Sequence, residues 1–129
     1  MENIGAIENK IKTIRGMQVM FDRDLAILYD VENRVLNQTV SRNIVRFPEE
    51  FCFKLNNEEF ENWKSQIVIS NSDKMGLRKP SNVFTEQGVA ILASVIKSST
   101  AINLSIAIIR AFVAMRKMIV GIFANDKSM

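Results

Sequence analysis

The sequence predicts an α+β fold, and three of its features carry that prediction. Residues 11–21, IKTIRGMQVMF, read as an N-terminal β-hairpin. Residues 22–46 read as a helix-turn-helix-like pair, and residues 101–123 as a long, mainly apolar C-terminal helix with short strands lying before it. With 129 residues the chain is long enough to bury a core as one domain. The expected organisation is a single domain over 1–129, with a core at about 9–119 and a short polar tail at 124–129.

The hairpin turns at Arg15-Gly16, where Gly16 supplies the φ freedom that a two-residue turn needs. Asp22 is the expected cap of the next helix, its carboxylate accepting from free N–H groups of the first turn. Leu25 and Leu28 give that helix an apolar stripe, and Ala26 is small enough for close packing. Asp30 stands in the turn, and Asp tolerates left-handed backbone better than most residues. Val31 and Leu36 are expected to pack beneath it. The second helix breaks at Phe47-Pro48, because a residue before proline avoids the α region.

A strand follows at 51–55, with Phe51, Phe53 and Leu55 on one face and Cys52 and Lys54 on the other. Asn56 and Glu59 form a capping box for the next helix, whose apolar stripe is Phe60, Trp63 and Ile67. Residues 70–82, SNSDKMGLRKPSN, make a polar loop that Lys74, Arg78 and Lys79 render basic apart from Asp73. Val83-Phe84 is extended, and Thr85 caps a helix running through Val89, Leu92 and Ile96. Ser98-Ser99-Thr100 caps the last helix.

The second helix of the pair sorts its residues by type. At about 100° per residue, Arg34, Asn37, Gln38, Ser41 and Arg42 share one sector, while Leu36 and Val40 lie opposite, with Val35 at the border. The sorting holds to about Ile44, since Val45 returns to the polar sector. Asn43 falls on the inward side, as a satisfied buried amide. Arg, Asn and Gln on one face are the side chains that read base edges in a DNA groove. No Asp or Glu occurs from Asn33 to Phe47, where Arg34, Arg42 and Arg46 stand. A solvated face mixes signs, whereas a phosphate-facing one excludes carboxylates. The competing reading is two amphipathic helices with a merely polar surface.

Composition narrows the alternatives. Net charge is +3 and the pI about 9.2, which permits a nucleic-acid partner without requiring one. There is no His, so the usual general base and the commonest metal ligand are missing. The single cysteine, Cys52, sits between Phe51 and Phe53 and reads as a small buried hydrophobe. No metal site, no cofactor and no enzymatic activity are expected. A lone cysteine and the absence of a secretory signal point to a reducing cytoplasm. Arg110, Arg116 and Lys117 interrupt the apolar stretch 101–123, which is therefore expected to be a buried helix and not a membrane span.

Several ordered blocks resemble a known family, the phage "ORF-six N-terminal" DNA-binding domains, related to the KilA-N and Bro-N domains. The first blocks are Asp22-Arg23-Asp24-Leu25-Ala26, Leu28-Tyr29, Val31, Leu36-Asn37, Val40 and Arg42-Asn43. Arg46-Phe47-Pro48-Glu49, Phe51, Phe53, Leu55 and Phe84-Thr85-Glu86-Gln87-Gly88-Val89-Ala90 continue the series. Ala107-Ile108, Arg110-Ala111-Phe112 and Arg116 complete it, so the resemblance spans roughly 9–119. It departs at Asp30, where the family commonly has Gly. The resemblance implies a DNA-binding domain of phage or prophage origin, often a transcriptional regulator, acting in the cytoplasm of a bacterial host.

The family's contacts are not carried over residue by residue, so the expected DNA contacts come from the face itself. They are Asn33, Arg34, Asn37, Gln38, Ser41, Arg42 and Arg46, with Lys74, Arg78 and Lys79 as a second, wing-like phosphate contact. The last helix is apolar nearly all round, which requires burial on more than one side. Ile102, Ile106, Ile109, Val113, Val120 and Phe123 form a stripe that fits a homodimer interface on double-stranded DNA. The alternative function is a protein-interaction or assembly module that works through this helix.

Overall fold

The computed structural model describes residues 4–66 and 81–127, with side chains described for 6–65 and 81–118. Strands β1 (Lys12–Ile14) and β2 (Met17–Phe21) form the hairpin, with Lys12 opposite Val19 and Ile14 opposite Met17. Arg15 and Gly16 both take positive φ, 56° and 74°. That is the backbone of the two-residue turn whose twist matches its strands. Two further strands, β3 (Cys52–Lys54) and β4 (Asn82–Phe84), complete an antiparallel sheet of order β1-β2-β4-β3. Although β4 is last in sequence, it lies inside the sheet, pairing Met20 with Phe84 on one side and Cys52 with Phe84 on the other.

Alternation along these strands separates two cores. Val19, Phe21, Phe53, Leu55 and Val83 face helix α4 (Asn57–Gln66), against its Phe60 and Trp63. Trp63 stacks on Phe21 with ring centroids 4.3 Å apart. Arg15 reaches across from the hairpin turn to pair with Glu59 at 2.7 and 2.9 Å. Met20 and Phe84 face the larger core, formed with α2 (Asp22–Tyr29), α3 (Asn33–Arg42), α5 (Glu86–Ile96) and α6 (Ser99–Lys127). The architecture is thus one helix, a sheet, and a helical layer.

The caps read from the sequence form as expected. Asn56 and Glu59 exchange bonds at 2.8 and 2.9 Å, Thr85 accepts from the Gly88 N–H, and Ser98 accepts from the Ala101 N–H. Gly88 lies so close to the residue before β3 that a Cβ there would overlap the Phe51 carbonyl oxygen. The glycine therefore sets how near α5 approaches the sheet.

Two local expectations are corrected, and one element is added. Asp22 is not the cap of α2: Phe21 holds that position without a side-chain bond, and Asp22 is the first helical residue. The second helix of the pair ends at Arg42, not at Phe47-Pro48, and a 3-10 turn (Ile44–Arg46) links it to the buried Phe47. A short helix α1 (Ile4–Glu8) precedes the hairpin and packs on α6 through the fully buried Ile7. Five residues are too few to show a helical period in the sequence.

Helix α6 over Ser99–Met118 is long and apolar enough, by length and composition, to cross a membrane. It packs on the core along one side, where Ala101, Ser105, Ile108, Ala111 and Phe112 are buried, while Arg110, Arg116 and Lys117 are exposed; with 28% of the stretch buried, it is less buried than expected. The Tyr29 hydroxyl and the Ser105 hydroxyl share a 2.6 Å hydrogen bond that ties α2 to α6.

Candidate nucleic-acid interface

The turn between α2 and α3 closes through Asp30 at φ 56°, with its N–H on the Ile27 carbonyl at 3.2 Å and the Val31 N–H on the Ala26 carbonyl at 3.0 Å. A side chain that tolerates left-handed backbone lets the helix end without glycine. Leu36 and Val40 then enter the larger core, and Val31 packs against it. Their burial fixes the rotation of α3, so Asn33, Arg34, Gln38, Ser41 and Arg42 are exposed together. Arg46 is exposed on the following 3-10 turn.

Asn37 has a different task from the one its position on the helical wheel suggested. Its Nδ2 donates to Asp22 Oδ2 at 2.9 Å and to Asn33 Oδ1 at 3.0 Å, and its Oδ1 accepts from Asn82 Nδ2 at 2.9 Å. The amide is engaged on both sides, which makes it the bolt between α2, α3 and β4. Asp22 completes this network by accepting also from the Arg23 N–H at 2.7 Å and the Asn82 N–H at 3.3 Å. Burial pushes the Asp22 carboxyl above its ordinary range, while the bonds from Asn37, Asn82 and Arg23 act against that rise. Neither Asp22 nor Asn82 was marked by the sequence as a partner of α3. The only trace was the placement of Asn37 at the edge of the polar sector, nearest the apolar one.

The outward face is cationic with one exposed acid at its start. Glu32 lies 3.3 Å from Arg34, both side chains well exposed, an arrangement that leaves Arg34 open to a competing phosphate. Asn43 donates to the Thr39 carbonyl at 2.9 Å, so its amide is satisfied as expected, but it is half-buried and not buried. Ile44 and Val45, by contrast, project into solvent beside Arg42 and Arg46. The second contact expected at Lys74, Arg78 and Lys79 lies outside the described residues, as does Ile67.

On α6, Ile102 and Ile106 of the apolar stripe are exposed, at 47% and 44%. Val113 is half-buried, and Ile109 packs partly against the larger core, so the stripe is less free at its middle than at its start. The side chains of Val120 and Phe123 lie outside the described residues. Burial, with the Asp22 charge adding to it, pushes the Cys52 thiol up to about 12, so it behaves as an inert apolar group. Among the described residues no group of His, Cys, Asp and Glu side chains is arranged to hold a metal ion.

The family model of the ORF6N domain matches residues 9–95, roughly two thirds of the chain, from the hairpin to the last turn of α5. The matched segment contains α2, the turn and α3 entire, and leaves α6 outside it. No curated protein and no solved structure matches the chain.

Proposed function

This chain belongs to the ORF6N domain family, a phage-associated family, and from that membership we propose that it is a DNA-binding transcriptional regulator of phage or prophage origin. The observation that carries the reading is the exposed face of Arg34, Gln38, Ser41 and Arg42, held in one orientation by burial of Leu36 and Val40 and by the Asp22–Asn37–Asn82 network. A preorganised helix needs no reordering on binding, so more of the contact energy appears as affinity. Gln38 is suited to adenine and the arginines to guanine or phosphate. Asn33 and Arg46 extend the contact at either end, and Lys74, Arg78 and Lys79 would add phosphate contacts. The proposal involves no catalysis, no cofactor and no membrane, and it places the protein with double-stranded DNA in the cytoplasm of a bacterial host.

Two copies are proposed to act together through the start of the α6 stripe, because Ile102 and Ile106 expose apolar surface on a rigid helix. A two-fold dimer reads a palindrome. Selection of bound sites from random duplexes tests these statements at once. The expected result is a palindromic consensus, and failure to enrich any sequence would contradict sequence-dependent recognition. The same exposed isoleucines support a second reading, an assembly module with α6 as its working surface. That reading requires no affinity for mixed duplex DNA even at low salt.

A further inference from the structure

Ile44 and Val45 stand out of the fold immediately beyond α3, 60% and 92% exposed. They are held in place. The Asn43 N–H bonds the Val40 carbonyl at 3.0 Å, the Arg46 N–H bonds the Asn43 carbonyl at 2.9 Å, and the Phe47 N–H bonds the Ile44 carbonyl at 3.0 Å. Phe47 anchors the turn in the larger core, edge-on to Phe84 with centroids 6.1 Å apart. β-branched side chains have few χ1 states, so the pair forms a preformed apolar tip. Single exposed apolar residues need no explanation. Two adjacent ones on a fixed turn make no packing contribution that accounts for them.

The charges around the tip indicate what would cover it. Arg42 and Arg46 flank it, both exposed. Of the next acids, Glu49 is within electrostatic reach of Arg15 on the hairpin turn, and Glu50 lines an open cleft with Met17, Gln18 and Arg116. An apolar point rimmed by cations suits a polyanion that also offers apolar groups. The major groove of DNA does so through the C5-methyl of thymine.

We propose that Ile44 and Val45 pack on thymine methyl groups, with Arg42 and Arg46 on the neighbouring phosphates. The inference rests on the DNA reading of α3 and extends its footprint. From Arg34 to Arg42 the helix advances about 12 Å at 1.5 Å per residue. The tip therefore addresses base pairs beyond those that Arg34 and Gln38 reach, and thymine at those outer positions becomes part of the recognised sequence.

The test uses the full chain and a duplex selected from random sequence, with each thymine replaced in turn by deoxyuridine. That exchange removes one methyl and leaves every hydrogen-bonding group in place. At one or two outer positions wild-type affinity is expected to fall about three- to fourfold, the value of one buried methyl. The variant carrying Ile44→Ala and Val45→Ala is expected to bind the thymine and deoxyuridine duplexes equally, with the salt dependence of the wild type. Both substitutions are at exposed positions, so the core is untouched. Duplex binding by the wild type with no sensitivity to deoxyuridine overturns this proposal and leaves the α3 reading standing. Full discrimination retained by the double variant also overturns it, as does loss of DNA bending in that variant with discrimination unchanged, which would mark a wedge between base steps. If the wild type retains no duplex at low salt, the α3 reading fails and this contact fails with it.

Discussion

Removing the Asp22 carboxylate would leave the Asn37 amide and the backbone N–H groups of Arg23 and Asn82 without their acceptor. Asp22→Ala is therefore expected to lower stability by about 1–3 kcal/mol, read as a lower urea midpoint with an unchanged slope. Because burial raises this carboxyl, the folded state holds its proton more tightly than the unfolded state does. Its contribution to stability is then full below the ordinary carboxylate range and declines as pH rises through the raised value. Urea unfolding at stepped pH should show a smaller decline in Asp22→Asn than in the wild type; what remains comes from Asp24, whose carboxyl is also raised by burial. At this scale the sequence was informative about direction and silent about partners. A helical wheel places Arg34, Gln38, Ser41 and Arg42 outward because Leu36 and Val40 must go inward, and no more is needed. The engagement of Asn37 depends on Asn82, which only the tertiary fold brings to it.

Elements whose boundaries are set by local chemistry were legible. Arg15-Gly16 demands a turn, Asn56 with Glu59 a helix start, and Thr85 and Ser98 further starts, and each of these interactions is satisfied within a few residues. Helix α1 was not, because its stability comes from burying Ile7 against a helix far along the chain. The 3-10 turn after α3 was also hidden: Pro48 limits where a helix must end and does not prevent it from ending earlier. Gly88 shows an element placed by a missing side chain. Gly88→Ala is expected to force α5 away from the Phe51 carbonyl before β3 and to cost about 1–3 kcal/mol. Thermal unfolding of the variant checks this, and an unchanged midpoint would show that the two elements separate freely.

Across the whole molecule, the order of the sheet was the least legible feature. Insertion of β4 between β2 and β3 satisfies strand edges that are distant in sequence, and no local pattern encodes that pairing. Burial of Ala101, Ile108, Ala111 and Phe112 accounts for one side of α6, and Ile102, Ile106 and Met118 remain exposed; Ile102 and Ile106 are the proposed surface for a second copy. Sedimentation at micromolar concentration is expected to show a dimer, and Ile102→Glu with Ile106→Glu a folded monomer; a stable wild-type monomer would remove the dimer from the account. Groove docking by α3 is checked by duplex retention in the variant Arg34→Ala, Gln38→Ala and Arg42→Ala, with circular dichroism to verify folding. All three side chains are exposed, so the fold should persist. This variant is expected to lose its preferred sequence, and the slope of log affinity against log salt to fall by about 2 if both arginines meet phosphates. Wild-type affinity and sequence preference in the folded triple variant would contradict docking by α3.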